Sequence, residues 1–397
     1  MDNPQEKLRT GELKLYALEK YMEADEAVKI RREYIEEITG ADLSSVGKYT
    51  IPIDRVVSRN IENMIGCVQI PLGTAGPLSV NGEYAKGSFW IPLATTEGAL
   101  IASINRGCSA ISKAGGADVR IFHDAMTRAP VFAAKNILHA ADSVHWIEEN
   151  FSAIKEAAEK TTSHGKLERI STYTAGTSVY VRMSYKTGDA MGMNMATIAS
   201  EAASKIIEEA TGLRLIASSG NMCCDKKPAA INAVEGRGKT VSAGVFLSDE
   251  LIRTVLKTEA EHLIEVNMRK NLVGSARAGA LGFNAHAANV VAALFLACGQ
   301  DAAHVVEGSN CITTAEAVEG GVYVSVTLPS LQVGTVGGGT SVACQNECLR
   351  MLDCAGDGKA MKFAEIAASA VLAGELSLLS ALAAGQLGKA HKELGRG

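Results

Sequence analysis

Four residues could perform acid–base chemistry: Glu97, Lys226, Asp301 and His391. Glu97 and Asp301 lie in apolar segments, and a buried carboxylic acid with a raised pKa can act as a general acid. Lys226 follows Asp225 in a polar loop, where a lysine fixed by a carboxylate can stabilise a developing oxyanion. Each residue also has a purely structural interpretation: a capping or ion-paired acid, an exposed lysine turn, or a surface histidine.

Two glycine-containing segments are candidates for binding a phosphate. Residues 188–194 lead into a predicted helix, whose N-terminus would present free N–H groups, although Asp189 could simply cap that helix. Residues 236–240 end like a Walker A loop, but Ala233 occupies the position of the required first glycine. The sequence also lacks the GxGxxG fingerprint of an ordinary dinucleotide-binding fold. A phosphotransferase is therefore a weak alternative.

The overall composition excludes several classes of protein. The 397 residues carry a net charge of −5 and are 47% hydrophobic, which argues against nucleic-acid binding by bulk charge and against general disorder. The apolar run Ala287–Cys298 is too short to span a membrane, and the polar N-terminus does not resemble a secretory signal. These features predict a soluble, cytoplasmic protein without a membrane anchor.

The nine cysteines predict reduced thiols. The group of Cys344, Cys348 and Cys354 lacks both CxxC spacing and a neighbouring histidine, so we expect buried thiols on a helix and no metal site.

The hydrophobic pattern predicts a mixed α and β protein that lacks a regular βαβ series. Residues 5–40 resemble amphipathic helices, and residues 51–92 resemble turns and short strands. Further helices are predicted at 94–111, 134–161, 195–210, 250–271, 286–298 and 360–394, with Ser248 capping the fourth of them. Strands are predicted at 179–184, 213–217, 241–247 and 322–328.

Six segments resemble, in order, those of the 3-hydroxy-3-methylglutaryl-coenzyme A (HMG-CoA) reductase family. They occupy residues 62–66, 95–98, 188–194, 225–228, 299–303 and 334–340. The resemblance extends from about Glu62 to Arg396 and covers the soluble catalytic portion of the family. It implies an oxidoreductase of isoprenoid precursor synthesis, in which two NADPH reduce HMG-CoA to mevalonate and CoA through a mevaldehyde-level intermediate.

The resemblance also implies a role for each reactive residue. Lys226 would stabilise the carbonyl oxygen in both hydride steps, and Glu97 would protonate that oxygen in the second step. Asp301 would hydrogen-bond to both, and His391 would protonate the departing CoA thiolate. Because all four residues are present, we favour an active enzyme over a catalytically inactive homologue.

The resemblance further implies three sets of binding residues and no metal ligand. The HMG carboxylate would contact Arg128, Ser219, Asp225, Lys227 and Lys270. CoA would contact Ser103, Asn105, Arg106 and Lys257. The nicotinamide nucleotide would contact Asp189, Met191, Gly192, Met193, Asn194, Asn289, Gly337, Gly338 and Arg396.

One segment departs from the pattern of many family members. The stretch Thr162–His164 stands where those members have a Ser-Arg-Phe run that contacts the adenosine 2′-phosphate. Lys166, Arg169 or Arg396 could supply the missing positive charge, so we expect NADPH to be preferred over NADH.

The fold implied by the resemblance is α+β, with a helical N-terminal part at 1–65. A large α/β domain around a long central helix would occupy 66–129 and 218–397, and a small ferredoxin-like NADP(H)-binding domain would be inserted at 130–217. The expected assembly is a homodimer, or a dimer of dimers, with active sites shared across an interface that includes Glu62–Gly66.

Overall fold

The computed structural model describes residues 4–385, so His391 and Arg396 lie outside the described residues. The chain begins with helices, as the amphipathic pattern of residues 5–40 predicts. They are α1 (Pro4–Thr10), a 3₁₀ turn (Leu15–Lys20), α2 (Ala24–Thr39) and α3 (Ile53–Val57). Apolar side chains of these helices form two small clusters of their own, one around Leu18 and one around Val28.

Ten strands form one sheet in the described part of the chain. The strands are β1 (Leu72–Asn81), β2 (Lys86–Ala94), β3 (Ala117–Arg128), β4 (Val131–Ala133), β5 (Lys166–Ala175), β6 (Ser178–Lys186), β7 (Arg214–Ala217), β8 (Gly238–Ser248), β9 (Ile312–Val318) and β10 (Gly321–Leu331). The central order is β7-β4-β6-β3-β8-β10-β9, with β5 beside β6 and β2 beside β1. All named pairs are antiparallel except β1 with β3, which agrees with the absence of a βαβ pattern.

Twelve further α-helices occur within residues 4–385, and several of them pack against this sheet. They are α4 (Leu100–Lys113), α5 (Ile137–Glu149), α6 (Phe151–Glu159), α7 (Met193–Thr211), α8 (Ala230–Glu235), α9 (Asp249–Leu251), α10 (Ala260–Val266), α11 (Ser275–Ala278), α12 (Ala287–Ala297), α13 (Val305–Gly308), α14 (Ala343–Met351) and α15 (Ala360–Ala383). The mixed helix and sheet class is therefore as predicted.

Strand β3 connects two hydrophobic cores. Its first part pairs with β8 in the larger core, which also contains α4, α12 and α15. Its last residues, Met126–Arg128, pair with β6 in a second core that contains α5, α6 and α7. The end of β3 thus carries Arg128 to the junction of the two cores.

Helix α15 is long and apolar enough to cross a membrane, but most of its length is buried inside the protein. Its two buried acids hold loops against it. Glu365 accepts hydrogen bonds from the backbone N–H groups of Glu83, Tyr84 and Ala85, and Glu375 accepts from Ala285 and His286. A buried carboxylate that accepts several N–H groups retains favourable partners, so α15 is a core helix.

Several predicted elements differ from the observed ones. The helix predicted at 360–394 ends at Ala383, the helix predicted at 94–111 begins at Leu100, and the hydrophobic pattern does not predict strands β3, β4, β5 and β9.

Residues 51–92 contain the long strands β1 and β2, which the Gly and Pro residues of β1 concealed. The helix predicted at 134–161 is divided at Asn150. The helix predicted at 250–271 begins at the Ser248 cap but is broken at Lys257, whose φ of 59° is left-handed, and it includes π-helical turns. Propensity patterns do not detect such a break because Lys is a good helix former.

A glycine-to-alanine change should test the packing of α4 on α15. A Cβ atom at Gly107 would meet the backbone carbonyl of Ala373, which cannot rotate away. We expect Gly107→Ala to destabilise the protein by about 1–3 kcal/mol. Gly308→Ala is the control, because its Cβ would meet Val291 at an ordinary 3.4 Å. Equal denaturation midpoints for the two variants would contradict the close helix contact.

Candidate active site

Lys226 lies in the loop that connects β7 to α8, as the sequence predicts. The loop is strained, since Asn221, Cys224 and Lys226 have φ values of 65°, 44° and 56°. The Nζ atom of Lys226 lies 2.8 Å from Oδ2 of Asp301, which follows α12 and caps a short 3₁₀ turn by accepting from the N–H of Ala303. The structure thus brings together two of the four predicted reactive residues.

A buried charge cluster lies directly behind this loop. Arg237 is fully buried and donates to Oδ1 of Asp225 at 3.0 Å and to Oε2 of Glu307 at 2.9 Å. His304, also fully buried, places Nε2 2.9 Å from Oδ1 of Asp225. Glu307 additionally accepts the backbone N–H of Lys226 at 2.8 Å. The loop is therefore attached to the protein interior through its backbone and through Asp225.

Sequence reasoning missed Arg237, His304 and Glu307. His304 and Glu307 follow Asp301 by three and six residues, a spacing that could have placed them on the same side of a short helix. Arg237 was considered only as part of the Walker-like segment, which is the start of β8 and not a loop that opens a helix. The P-loop interpretation is therefore wrong.

Two acids of the site, Asp225 and Asp301, have lowered pKa values, whereas burial raises the pKa of Glu307. Burial raises the pKa of Asp225, but the hydrogen bond from His304 and the charge of Arg237 outweigh it and bring the pKa well below its usual range. Burial likewise raises the pKa of Asp301, but the hydrogen bond from Lys226, the charge of His304 and the N–H of Ala303 together outweigh it and lower the pKa. Of the two interpretations left open for Asp301, a general acid or a capping and ion-paired acid, the structure shows the second.

Glu97 occupies a different part of the site. It lies in the loop after β2 and is exposed, which contradicts the expectation of a buried acid. Its Oε1 accepts a hydrogen bond of 3.3 Å from Nδ2 of Asn289, which also lies 3.4 Å from Nδ1 of His286. Among residues 4–385, Glu97 has no hydrogen bond or ion pair to Lys226 or Asp301. The predicted direct bond between Asp301 and Glu97 is absent from this arrangement.

Three of the residues predicted to bind the HMG carboxylate, Ser219, Asp225 and Lys227, belong to the Lys226 loop, and Arg128 lies beside it. Arg128 lies 3.9 Å from Asp225, and Nζ of Lys227 donates to the backbone carbonyl of Asp225 at 2.9 Å. The hydroxyl of Ser219 lies 3.3 Å from Sγ of Cys223 within the same loop.

Lys270 is partly separate from that group. It donates to Oδ1 of Asn271 at 3.1 Å and contacts the carbonyl of Ala285. Burial lowers the pKa of Lys270, and the nearby Glu375 carboxylate opposes that effect.

The residues predicted to bind CoA already have intramolecular partners. Ser103 and Arg106, on α4, both contact the hydroxyl of Ser377 at 3.0 and 3.1 Å. Asn105 accepts the backbone N–H of Gly76 at 3.0 Å, and Lys257 occupies the break before α10. These contacts hold the three α4 residues in one place.

Segment 188–194 lies beside the glycine-rich segment 334–340. Ala190 pairs with Val336, and a Cβ atom at Gly334 would lie 2.6 Å from the backbone nitrogen of Met191, so only glycine allows this approach. The N-cap of helix α7 is Gly192, and the first two residues of the helix are Met193 and Asn194. Gly337 and Gly338 are exposed, with left-handed φ values of 76° and 52°.

Asp189 does not cap the helix that follows it. Its carboxylate accepts from the N–H groups of Gly358 at 2.7 Å and Ala360 at 3.0 Å, at the start of α15. The interpretation that Asp189 caps the following helix is therefore wrong: its carboxylate stabilises the N-terminus of α15 and attaches segment 188–194 to that helix.

The remaining predicted residues have clear positions. Lys166 pairs with Glu159 at 3.1 Å, and Arg169 pairs with Glu235.

All nine cysteines are free; Cys348 and Cys354 are buried as expected, whereas Cys344 is exposed. Asp225, His304 and Glu307 are close enough to hold a metal ion, but Arg237 already donates to both carboxylates.

Stability should depend on the charge of Asp225 with a definite sign. Because the folded pKa lies below the unfolded value of about 4, this carboxylate stabilises the protein above that pH, and the contribution is lost as the pH falls. We expect Asp225→Asn to lower the free energy of unfolding most at pH 6–7. The difference from the unmodified protein should shrink as the pH falls below about 4, measured by urea denaturation. A difference that grows on acidification would contradict the ion-pair assignment.

Comparisons with known proteins agree with this geometry. The family model described as hydroxymethylglutaryl-coenzyme A reductase matches residues 27–396, which extends the similarity upstream of Glu62. The chain is 55% identical to the 3-hydroxy-3-methylglutaryl-coenzyme A reductase of Methanocaldococcus jannaschii, with 98% of both chains covered. It is 54% identical to the protein of the same name from Methanothermobacter thermautotrophicus, again with 98% of both chains covered.

Solved structures show a similar fold at low sequence identity. A class II 3-hydroxy-3-methylglutaryl-CoA reductase from Streptococcus pneumoniae, bound to NADPH in open conformations, aligns with a TM-score of 0.69 at 17% identity. The alignment covers 93% of this chain and 100% of the other. The family model and the full-length relatives show that this chain belongs to the hydroxymethylglutaryl-coenzyme A reductase family, whose members are oxidoreductases that reduce HMG-CoA to mevalonate.

Proposed function

We propose that this chain reduces the HMG-CoA thioester to mevalonate and free CoA with two NADPH, and that Lys226 stabilises the reacting carbonyl oxygen in both steps. The observation that carries the proposal is the 2.8 Å contact between Nζ of Lys226 and Asp301. Asp301 accepts one of the three N–H donors of the ammonium group, so the other donors remain for an oxyanion.

The first hydride transfer converts the thioester carbonyl into an alkoxide on a tetrahedral carbon that still carries sulfur. Lys226 donates hydrogen bonds to that alkoxide, and its charge is most effective as negative charge develops. Cleavage of the carbon–sulfur bond then yields mevaldehyde and the CoA thiolate. His391, which lies outside the described residues, would donate a proton to the thiolate and prevent it from attacking the aldehyde again.

The second hydride transfer reduces the aldehyde to the primary alcohol of mevalonate. Lys226 again stabilises the alkoxide, and we assign the final proton to Glu97. The hydrogen bond from Asn289 to Glu97 supports this role, since it orients the carboxyl group at one oxygen and leaves the other free. Asp301 would affect Glu97 only indirectly, because it holds Lys226, which would bind the same substrate oxygen that Glu97 protonates.

The residues around the Lys226 loop would bind the HMG carboxylate. Arg128 offers a planar guanidinium suited to a carboxylate, and Lys227 offers a point charge beside it. The weak 3.9 Å contact with Asp225 leaves Arg128 able to bind an incoming carboxylate. Ser103, Asn105, Arg106 and Lys257 would hold CoA, with Lys270 near the substrate.

The adjoining segments 188–194 and 334–340 would bind the nicotinamide nucleotide. The N-terminus of α7 at Gly192 favours an anionic phosphate, and exposed Gly337 and Gly338 leave room for a ligand to approach the backbone. The similar pneumococcal reductase is bound to NADPH, which supports the same reductant here. Because Lys166 and Arg169 already pair with acids, we assign the 2′-phosphate chiefly to Arg396, outside the described residues.

We also propose the domain division and assembly expected of the family. The second hydrophobic core, formed by residues between Met126 and Leu213, supports an inserted domain at 130–217. Val68, Ile70 and Leu72 are exposed to 84%, 38% and 56%, and a second copy of the chain would cover this apolar segment. A homodimer, or a dimer of dimers, is the assembly that we propose.

The proposed role of Lys226 predicts different effects for two neighbouring substitutions. Lys226→Ala should lower kcat about 10²–10³-fold while HMG-CoA still binds, because the lost interaction is made in the transition state. Lys227→Ala should mainly raise KM, since Lys227 would contact the remote carboxylate. HMG-CoA-dependent NADPH oxidation measures both. A Lys226→Ala enzyme that keeps a tenth of the kcat would refute the assigned role.

His391 should distinguish the two halves of the reaction. His391→Gln keeps the approximate size of the side chain but cannot donate a proton to a thiolate, so reduction of HMG-CoA should fall about 10²-fold or more. Reduction of free mevaldehyde should fall far less, because no thiolate departs. If His391 only positions the C-terminal segment, both rates should fall together in the same enzyme preparation.

A further inference from the structure

The loop that carries Lys226 needs an external support to keep its shape. Three of its non-glycine residues, Asn221, Cys224 and Lys226, have left-handed φ values, each of which carries a conformational cost for an L-residue. Such a backbone persists only when surrounding groups hold it. Lys226 itself is one of the three, so a relaxation of the loop would move the reactive ammonium group.

Glu307 supports the loop at Lys226 itself. Its Oε1 accepts the backbone N–H of Lys226 at 2.8 Å, so it contacts the same residue whose side chain reaches Asp301. Asn232 adds a second support by donating to the backbone carbonyl of Cys224 at 3.0 Å. The carboxylate of Glu307 is only 1% exposed, so solvent does not compete for these hydrogen bonds.

Arg237 offsets the free-energy cost of burying the Glu307 carboxylate. An unpaired carboxylate in such a place would be strongly destabilising, and the fully buried guanidinium of Arg237 donates to Oε2 of Glu307 at 2.9 Å. The other end of the same guanidinium donates to Asp225 at 3.0 Å. Glu307 holds the loop at the backbone of Lys226, and Arg237 holds it at the side chain of the adjacent Asp225. Because Arg237 also donates to Glu307, the two attachments are linked.

We infer that Glu307 is a positioning residue for the reduction: its buried carboxylate, held by Arg237, fixes the backbone of Lys226 so that Nζ meets Asp301 and the substrate oxygen. The inference rests on the proposed role of Lys226. Glu307 contacts neither substrate nor cofactor in this scheme, because its two oxygens are already occupied by Lys226 and Arg237. Its effect is transmitted entirely through the position of Lys226.

Two variants of Glu307 test the charge and the length of its side chain separately. Glu307→Gln keeps the size of the side chain but removes the charge that balances Arg237. Glu307→Asp keeps the charge and withdraws the acceptor by one methylene. Both should lower kcat for HMG-CoA reduction by about 10–100-fold, because a displacement of about 1 Å at a reacting group has an effect of that size. Both should leave KM within about threefold, since a transition-state interaction is the one lost.

Glu365→Gln is the matched control. Glu365 is also a fully buried carboxylate that accepts backbone N–H groups, but its partners belong to the β1–β2 turn. A general loss of packing or stability should therefore affect Glu365→Gln as much as Glu307→Gln. Thermal denaturation of all three variants measures the loss of stability, and we expect Glu365→Gln to retain its kcat at a temperature at which it is folded.

A double-mutant cycle with Lys226→Ala decides whether Glu307 acts through Lys226. If it does, adding Glu307→Gln to Lys226→Ala should change kcat by less than about twofold, because the group to be positioned is already missing. An undiminished further loss in that background would overturn the inference, as would wild-type kcat in both Glu307 variants or an equal loss in Glu365→Gln. If Lys226→Ala itself keeps most of its activity, it is instead the proposed role of Lys226 that fails.

Discussion

The buried guanidinium of Arg237 is the interaction on which the candidate site depends. It is enclosed at the junction between the start of β8, helix α13 and the Lys226 loop, and it donates to Glu307 and Asp225. It also approaches the sulfur of Met193, the first residue of α7, at 2.7 Å. One cation thus connects the loop that presents Lys226, the segment that carries Asp301 and the helix assigned to the cofactor. Removing either carboxylate would leave a buried charge without full compensation, which explains why the polar cluster holds these elements together.

The rest of the architecture serves to place that cluster between two cores. Strand β3 leaves the larger core and enters the smaller one at Met126–Arg128, so its end faces the Lys226 loop. Helix α15 stabilises the larger core and fixes the opposite side of the site through Glu375, which holds the backbone of Ala285 and His286 just before Asn289. Close contact between α4 and α15 requires a residue without a side chain at Gly107. Gly107 therefore has a specific function in the packing of these two helices.

The charges of the site suit the stabilisation of an oxyanion better than general acid catalysis by Asp301. Asp301 is paired with Lys226 and has a lowered pKa, so it remains a carboxylate and keeps the ammonium group in place. In the proposed mechanism the final proton comes from Glu97, which accepts a hydrogen bond from Asn289. A cation held by one acid and a separate proton donor match the needs of two successive hydride transfers to one carbon.

Local sequence patterns determined most helices, four of the ten strands (β6, β7, β8 and β10), the absence of a βαβ series and the Ser248 cap, because these depend on neighbouring residues and on periodicity. The same sequence identified Lys226, Asp301, Glu97 and the two glycine-rich segments as the places where chemistry could occur. It could not reveal that Asp189 stabilises the start of α15, that Lys257 breaks a helix, or that Glu97 is exposed. The partnership of Arg237 with Asp225, Glu307 and His304 was equally hidden. Arg237 and Glu307 are separated by 70 residues, and whether a buried charge finds its partner is decided only when distant segments pack together and exclude water.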